Sequence, residues 1–374
     1  MEGFESGPGK KPTMSPFPEA SDYLTSSTMR QLCQSLAEAS HSVQESGTTR
    51  SSLQACADAG VFRWFVPCEY DGWGWSEADI TRGYLQLAKS CLATTFVITQ
   101  WASAVKRICQ IDNQTLQQKW LPELAAGRCM VSVGISHLTT SRQHQDRPAL
   151  LATQTDTGWI LDGYTPWVTG GPICDMLVIG ATLEDGRQIL ARVPTDTQGV
   201  AVQEPFSLMA LTASQTGAIQ FNDVQVLEED ILAGPVPQIL NTIAKGTSGG
   251  LQTSTLALGL SLAALEYIEG EVDNRPQLTG TAAELRQQYN QLEKRLLEST
   301  QTDGEVDREG LRTAANDLVL RCTQAALLVA KGAGFVKGHP CERWCREAMF
   351  FLVWSCPQVV QMNQLCQLSI AGIP

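Results

Sequence analysis

The spacing of apolar residues in this chain changes twice along its length, and that constrains the fold more than any single motif. From Ala20 to Gly127 the spacing is mostly that of a helix, with glycine and proline clustered at Pro67–Gly74. Short runs separated by turn residues follow, and several are β-branched, which predicts strands. These runs are Cys129–Ser136, Leu150–Gln154, Trp159–Leu161, Met176–Ala181, Gln188–Val193 and Ala218–Phe221.

After Pro237 the helical period returns in four segments, enough for a four-helix bundle: Leu256–Ile268, Ala282–Ser299, Asp307–Lys331 and Cys345–Ile370. The whole pattern predicts a mainly helical protein with a central antiparallel β-barrel. We therefore divide the chain into a disordered tail, an N-terminal all-helical domain, a middle β-barrel domain and a C-terminal helical bundle. Their predicted bounds are 1–20, 21–128, 129–235 and 236–374.

The composition excludes several classes of function. The 374 residues carry a net charge of −12, which argues against nucleic-acid and anionic-membrane partners, since both attract clustered Lys and Arg. No apolar run reaches the roughly 18 residues of a spanning helix, and the first residues contain no apolar segment typical of a signal peptide. We expect a cytoplasmic protein whose 12 cysteines are reduced and bind no metal.

The segment Gly158–Gly171 carries the most chemical information. In a strand, residues i and i+2 project from the same face, so Trp167 and Thr169 would present a flat apolar ring and a hydroxyl to one ligand. That combination suits the isoalloxazine ring of a flavin. The structural alternative is a buried aromatic beside a half-exposed threonine.

Four other segments, in the same order, resemble motifs of the acyl-CoA dehydrogenase family. Gly60–Gly74 is similar to the family's V-P-x-E-Y-G-G-x-G segment, and Gln117–Gly127 is similar to Q-K-x-x-x-L-P-x-L-A-x-G. Thr216–Val226 resembles the F-x-D-V-x-V strand, and Pro340–Ala348 resembles P-V-E-R-x-x-R-D-A. The resemblance implies an α–β–α three-domain architecture, an FAD cofactor, an acyl thioester substrate, and homodimers or homotetramers assembled through the last bundle.

The family's reaction, as the resemblance implies it, needs a glutamate that removes an α-proton while a hydride passes to the flavin. Counting from Pro340 places Ser355 at the position of that base, and a serine hydroxyl is no general base at neutral pH without a second base beside it. Some members carry the glutamate on the first helix of the bundle, where this chain has Gly249. The neighbouring CoA-contacting charges fall on Gly250 and Thr247.

The flavin side also departs from the family pattern. The T-E-P-x-A-G-S-D loop falls on His137–His144, which would place His137 near the flavin pyrimidine edge as a hydrogen-bond donor; the alternative is an exposed loop histidine. Arg275 takes the place of an arginine that reaches the FAD diphosphate across the subunit interface, but Pro276 replaces the start of the following T-F-G. Gly332 and Gly334 keep most of the G-G-x-G-[FY] turn, in which Lys331 replaces the first glycine.

The alternative for that last turn is a glycine-terminated helix end. His339, Cys341 and Cys345 were weighed as a zinc site, but a fourth ligand with its own spacing is missing and core packing is favoured. Trp64, Trp73 and Trp75 are expected to pack rather than to bind.

Three hypotheses of function follow. The first is an FAD-dependent oxidoreductase that acts on a CH–CH bond of an acyl donor without the usual glutamate. The second is a flavin-dependent monooxygenase of the same fold, and the third is a catalytically silent paralogue with a role in binding or assembly. Flavin content separates the third from the other two.

Overall fold

The computed structural model of the protein describes residues 17–138, 147–243, 249–301 and 307–369. Within these ranges six α-helices precede the strands and six follow them. The first six are α1 (Ala20–Leu24), α2 (Ser27–Ser46), α3 (Arg50–Asp58), α4 (Glu77–Ser90), α5 (Leu92–Cys109) and α6 (Gln114–Ala125). The last six are α7 (Ile239–Ile243), α8 (Gly249–Gly270), α9 (Thr279–Ser299), α10 (Arg308–Ala330), α11 (Pro340–Phe350) and α12 (Gln358–Ser369).

Local sequence sets the bounds of these helices. The Ser26 hydroxyl accepts a hydrogen bond from the Met29 backbone N–H at 3.1 Å and begins α2, which ends at Gly47 in the left-handed region with φ 69°. Asp307 caps α10 in the same way, because its Oδ1 accepts from the Gly310 N–H at 2.7 Å. Residues at almost every position of α5 are buried, so α5 is a core helix of the first unit.

A cluster of aromatic side chains also packs within the first unit. The rings of Trp64 and Trp75 stack with centroids 4.7 Å apart, and Tyr23 meets Trp73 edge-on at 4.9 Å. The predicted packing role of these tryptophans is confirmed.

The eight strands form one sheet in the order β6-β7-β3-β2-β4-β5-β8, with β1 paired to β4. They are β1 (Val131–Gly134), β2 (Leu150–Thr155), β3 (Gly158–Val168), β4 (Met176–Thr182), β5 (Gln188–Pro194), β6 (Val200–Val202), β7 (Gly217–Leu227) and β8 (Ile231–Val236). The predicted antiparallel barrel is wrong on two counts. Within the described residues β6 and β8 lie at opposite ends of an open sheet, and β4 pairs in parallel with β1 and β2.

Helix α8 packs between α4 and α10 and also contacts α9 and α11; most of its residues are buried, whereas Glu266 is exposed. The contact of α8 with α4 joins the first unit to the last bundle. By length and composition alone the stretch Arg308–Phe335 would also be apolar enough to cross a membrane. In the structure its helix, α10, packs against α8, α9 and α11.

The crossing of α8 over α4 depends on Gly259. A Cβ built at Gly259 would lie 2.6 Å from the Ala88 Cβ and 2.9 Å from the Leu85 carbonyl oxygen. Because the Leu85 oxygen belongs to the backbone, relieving this contact would require α4 and α8 to move apart. We expect Gly259→Ala to lower the free energy of unfolding by about 1–3 kcal/mol, because overpacking outweighs the gain in helix propensity. Denaturant titration measures this change.

Gly280→Ala is the matched control, since a Cβ at Gly280 in α9 would meet nothing within 4 Å. It should be neutral or stabilise by up to about 1 kcal/mol through helix propensity alone. If the two variants had equal stability, the close approach of α4 and α8 would not matter.

Candidate functional site

Trp167 lies near the end of β3 and is 50% exposed, unusual for so large an apolar side chain. Its ring contacts that of Phe206, whose centroid is 4.8 Å away. The pairing of β3 with β7 is irregular between Thr165 and Val168, at the point where Trp167 turns outward. The two rings together form an exposed aromatic surface, which we call the aromatic seat.

Thr169 is buried beside this seat and begins a chain of three hydroxyls. Its Oγ1 lies 3.0 Å from the Thr216 Oγ1, which lies 2.8 Å from the Ser214 Oγ. The Thr216 carbonyl also accepts a hydrogen bond from the Phe206 N–H at 2.9 Å. Thr216 therefore holds both the hydroxyl chain and one half of the aromatic seat.

Helix α5 packs against Gly170, the residue that follows Thr169 in the chain. A Cβ built on Gly170 would lie 3.6 Å from the Val97 Cγ1, so α5 packs directly against the end of β3. The Gly170 N–H donates to the Ser214 carbonyl at 2.8 Å and fixes that contact. A ligand on the aromatic seat would have α5 as its neighbour.

His137 is buried, so the alternative of an exposed loop histidine is wrong. Its Nε2 lies 2.8 Å from the Gly180 carbonyl oxygen, which can only accept, so Nε2 carries the hydrogen. Burial lowers the pKa of His137 below its usual value, and the ring is neutral at pH 7. Nδ1 is then an acceptor, and it has no hydrogen-bond partner among the described residues. His137 would accept a hydrogen bond from a ligand rather than donate one.

These residues fit the ring end of a flavin. The exposed Trp167 ring offers a flat apolar face, with the Phe206 ring tilted 59° against it, and the neutral His137 Nδ1 is a buried acceptor without a partner within the described ranges. The Thr165 hydroxyl, fully buried on β3, likewise has no partner in the described part of the chain. Residues 139–144 of the predicted flavin loop lie outside the described residues.

Ser355 lies in the turn between α11 and α12, exposed and at φ 44°. The preceding Trp354 points inward, where its ring stacks on Phe350 at 5.1 Å and meets Phe96 of α5 edge-on at 4.9 Å. The space against Phe96 is therefore filled by aromatic rings. Ser355 has no carboxylate to offer.

A buried arginine fixes this turn. The Arg312 Nη2 donates to the carbonyls of Phe351 at 3.1 Å and Trp354 at 2.8 Å, and the Asn316 amide donates to the Phe351 carbonyl at 3.0 Å. Arg312 and Asn316 thus bond the free carbonyls at the end of α11. The turn around Ser355 is held rigidly by α10.

The second position for a family glutamate, Gly249, is the first residue of α8 and has no side chain. Gly250 follows it in the same helix, and Thr247 lies outside the described residues. Neither glycine can supply the charges that the resemblance would place there.

Arg275 is bonded within its own chain. Its Nη1 donates to the Val329 carbonyl at 2.6 Å, and its Nη2 pairs with the Glu271 carboxylate at 2.5 Å. The turn that follows Val329 is not a glycine-terminated helix end, because the positive φ of 54° belongs to Lys331, and Gly332 and Gly334 have no such φ. This turn forms a short 3-10 helix, Lys331–Phe335.

The zinc alternative is not supported. The described residues contain no group of three or more His, Cys, Asp or Glu side chains that could hold a metal ion. His339 instead caps α11, since its Nδ1 accepts from the Cys341 N–H at 3.2 Å. The Cys345 thiol lies 3.3 Å from the Thr323 carbonyl oxygen.

Glu347 of α11 is a buried carboxyl group that the sequence analysis did not single out. Burial raises its pKa to about 7 against the opposing effect of Arg343, whose Nε lies 3.7 Å from the carboxylate. Gln44 of α2 donates to it at 3.2 Å. It joins α2 to α11 and has no described contact with the aromatic seat.

Phe206, Ser214 and Thr216 were also missed as site residues. Phe206 and Ser214 lie in the connection between β6 and β7, where no hydrophobic period marks them. The run Phe206–Leu211, apolar at five of six positions within a connection, was the one available signal.

Comparison with known proteins finds relatives among the acyl-CoA dehydrogenases. Residues 22–128 match the family described as acyl-CoA dehydrogenase, N-terminal domain. The chain is 21% identical over 336 residues to a probable acyl-CoA dehydrogenase, YngJ, of Bacillus subtilis, covering 83% of this chain and 87% of that one. The resemblance drawn from the sequence motifs is confirmed.

Solved structures show the same fold. Butyryl-CoA dehydrogenase from Megasphaera elsdenii superimposes with a TM-score of 0.81 at 19% identity, covering 93% of this chain and 97% of that one. The FMN-bound dibenzothiophene monooxygenase TdsC from Paenibacillus sp. A11-2 gives 0.76 at 17% identity, covering 92% and 96%. At these identities the likeness establishes the fold alone.

The pKa of Glu347 leads to a prediction on stability. The folded protein keeps a proton there up to about pH 7, whereas the unfolded chain releases it near the ordinary value of 4.5. The stabilisation from this proton is therefore complete below pH 4.5 and is lost as the pH rises through 7, a change of up to about 3 kcal/mol. Denaturant unfolding of wild type and Glu347→Gln across this window measures it.

Glu347→Gln cannot titrate, so its free energy of unfolding should fall less steeply with pH than that of wild type. Other groups titrate equally in both proteins, and the difference between the two curves isolates Glu347. Parallel curves would show that Glu347 is ionised throughout and is stabilised by Arg343.

Proposed function

Since residues 22–128 belong to the acyl-CoA dehydrogenase N-terminal domain family and the whole chain has the acyl-CoA dehydrogenase fold, we propose that it is a flavin-dependent oxidoreductase. The observation that carries this proposal is the aromatic seat of Trp167 and Phe206 beside the buried hydroxyls of Thr169 and Thr216. FAD is the cofactor expected from the resemblance. A bound flavin would supply the hydride acceptor.

The chain's own residues would bind and orient the ring. Trp167 and Phe206 offer the apolar face, and α5 excludes water from the side at Val97. The neutral His137 would accept one hydrogen bond through Nδ1 and so fix the register of the ligand. Thr169 would turn its hydroxyl from Thr216 toward the ligand.

The substrate we propose is an acyl donor oxidised at a CH–CH bond, but not an ordinary straight-chain CoA ester. Ser355 and Gly249 supply no base, and the rings of Trp354, Phe350 and Phe96 pack together at the turn that carries Ser355. The acyl group would be carried on a protein or belong to a molecule smaller than a CoA ester. We place the reaction in the cytoplasm and propose neither a nucleic acid nor a membrane as partner, in keeping with the net charge of −12.

One observation favours a second candidate, a flavin-dependent monooxygenase. Phe96, Phe350 and Trp354 form an aromatic cluster at the turn that carries Ser355, and without a carboxylate there this cluster suits a flat apolar substrate better than a thioester. A monooxygenase, TdsC, shares the fold. A catalytically silent paralogue is the third possibility, and it would bind no flavin.

The aromatic seat gives a direct test. We expect Trp167→Ala to weaken flavin binding by roughly 1–3 kcal/mol through the loss of ring stacking, with little change in stability because Trp167 is 50% exposed. Titration of the protein with flavin, followed by quenching of flavin fluorescence, measures the affinity. Tyr164→Ala on the same strand is the control and should bind as wild type does. Equal affinity in wild type and Trp167→Ala would place the flavin elsewhere.

Straight-chain acyl-CoA esters should fail to reduce the bound flavin. Loss of a positioned base costs about 10²–10⁴ in rate, and neither Ser355 nor Gly249 replaces it. Anaerobic titration with several chain lengths, followed by flavin bleaching, tests this. Rapid bleaching by any ester would show that another residue supplies the base. Ser355→Glu should restore little, because Arg312 and Asn316 hold the turn in its present shape.

We further propose that the chain forms a homodimer or homotetramer through its last bundle. Large apolar side chains are exposed there, including Leu328, Phe335, Val353 and Leu368. Light scattering should give at least a dimer, and Phe335→Ser with Leu368→Ser should shift it toward monomer. A wild-type monomer at working concentration would contradict this proposal.

A further inference from the structure

Arg275 acts as a cap for α10. The last carbonyls of a helix have no partner within it, and the Arg275 Nη1 donates to one of them, that of Val329, at 2.6 Å. Its Nη2 is paired with Glu271 at 2.5 Å. A diphosphate could take this guanidinium only by displacing both partners.

The local charge also disfavours a diphosphate. Glu271 and Asp273 contribute two negative charges beside the single positive charge of Arg275. The C-terminal end of α10 adds a partial negative charge at the Val329 carbonyl. The Glu271 carboxylate and the end of α10 therefore already compensate the positive charge of Arg275.

The backbone holds Arg275 in place as well. The Arg275 N–H donates to the Glu271 carbonyl at 2.9 Å, and Pro276 begins a short 3-10 helix, Pro276–Leu278, directly after it. A residue before proline has a restricted backbone, and Pro276 itself has no N–H to offer an anion. The Arg275 side chain is bonded to Val329 and Glu271, and neither the backbone of Arg275 nor that of Pro276 has a free N–H for an anion.

We propose that this chain recognises a flavin by its ring end and not by a diphosphate, so that it binds flavin mononucleotide at least as tightly as FAD. This inference rests on the proposed function, since it requires a flavin on the seat of Trp167 and Phe206. The residues that fit a flavin all lie at that end: His137, Trp167, Thr169 and Phe206. Arg275 contributes to the stability of the bundle instead.

Lys331 is a second cation near this corner, two residues after Val329 along the chain. It is exposed, has no ion pair in the described part of the chain, and holds a φ of 54° that is unfavourable for a lysine. In an assembly Lys331, rather than Arg275, would be the residue that binds a diphosphate. The experiment therefore includes it as a separate variant.

The test is titration of flavin-free full-length protein with FMN and, separately, with FAD, read by flavin fluorescence and by calorimetry. We expect the Kd for FMN to equal that for FAD or to be lower. Arg275→Ala and Lys331→Ala should leave the ratio of the two constants unchanged, while Trp167→Ala weakens both. Because Arg275→Ala removes the cap of α10, Arg275→Lys serves as a second variant, and the melting temperature of each is recorded.

An affinity for FAD about tenfold or more above that for FMN would overturn the inference and leave the proposed function standing. Loss of that advantage in Arg275→Ala or Lys331→Ala would identify the diphosphate holder. If wild type bound neither flavin, the proposed function would fall as well. The two failures are thus distinguishable.

Discussion

The antiparallel pairing of β3 with β7 is the interaction on which the candidate site depends. It sets Val168 opposite Gly217, so that the residues just beyond each strand, Thr169 and Thr216, meet through their hydroxyls. The irregularity between Thr165 and Val168 in the same pairing lets Trp167 leave the core. Without this register the aromatic seat and the hydroxyl chain would not form together.

The two halves of the proposed reaction, flavin binding and proton removal, have different physical requirements. Binding a flavin ring needs apolar area and a few hydrogen bonds, which Trp167, Phe206 and His137 offer. Removing an α-proton needs one carboxylate aimed within hydrogen-bond reach. At the position predicted for this carboxylate the chain has Ser355 in an exposed turn, whereas the ring of the preceding Trp354 points inward.

Sequence patterns predicted the α–β–α order and six of the eight strands, because long helices and buried strands carry strong hydrophobic periods. The two missed strands, β6 (Val200–Val202) and β8 (Ile231–Val236), lie at the ends of the sheet; β6 has only three residues, and β8 contains Gly234 and Pro235. Barrel closure was predicted wrongly, since it depends on whether those two ends meet, which no local pattern records. Likewise, Arg275 could be aligned but its bonds to Glu271 and Val329 could not be foreseen.

The central claim is that a flavin seat persists in a chain that has lost the acyl-CoA base. The visible absorption spectrum of the purified protein, taken before and after incubation with FMN or FAD, tests it most directly. The account predicts a structured flavin band in the blue, shifted from that of free flavin by the stacking of Trp167. A colourless protein that takes up neither flavin would contradict it and favour a catalytically silent relative of the acyl-CoA dehydrogenases.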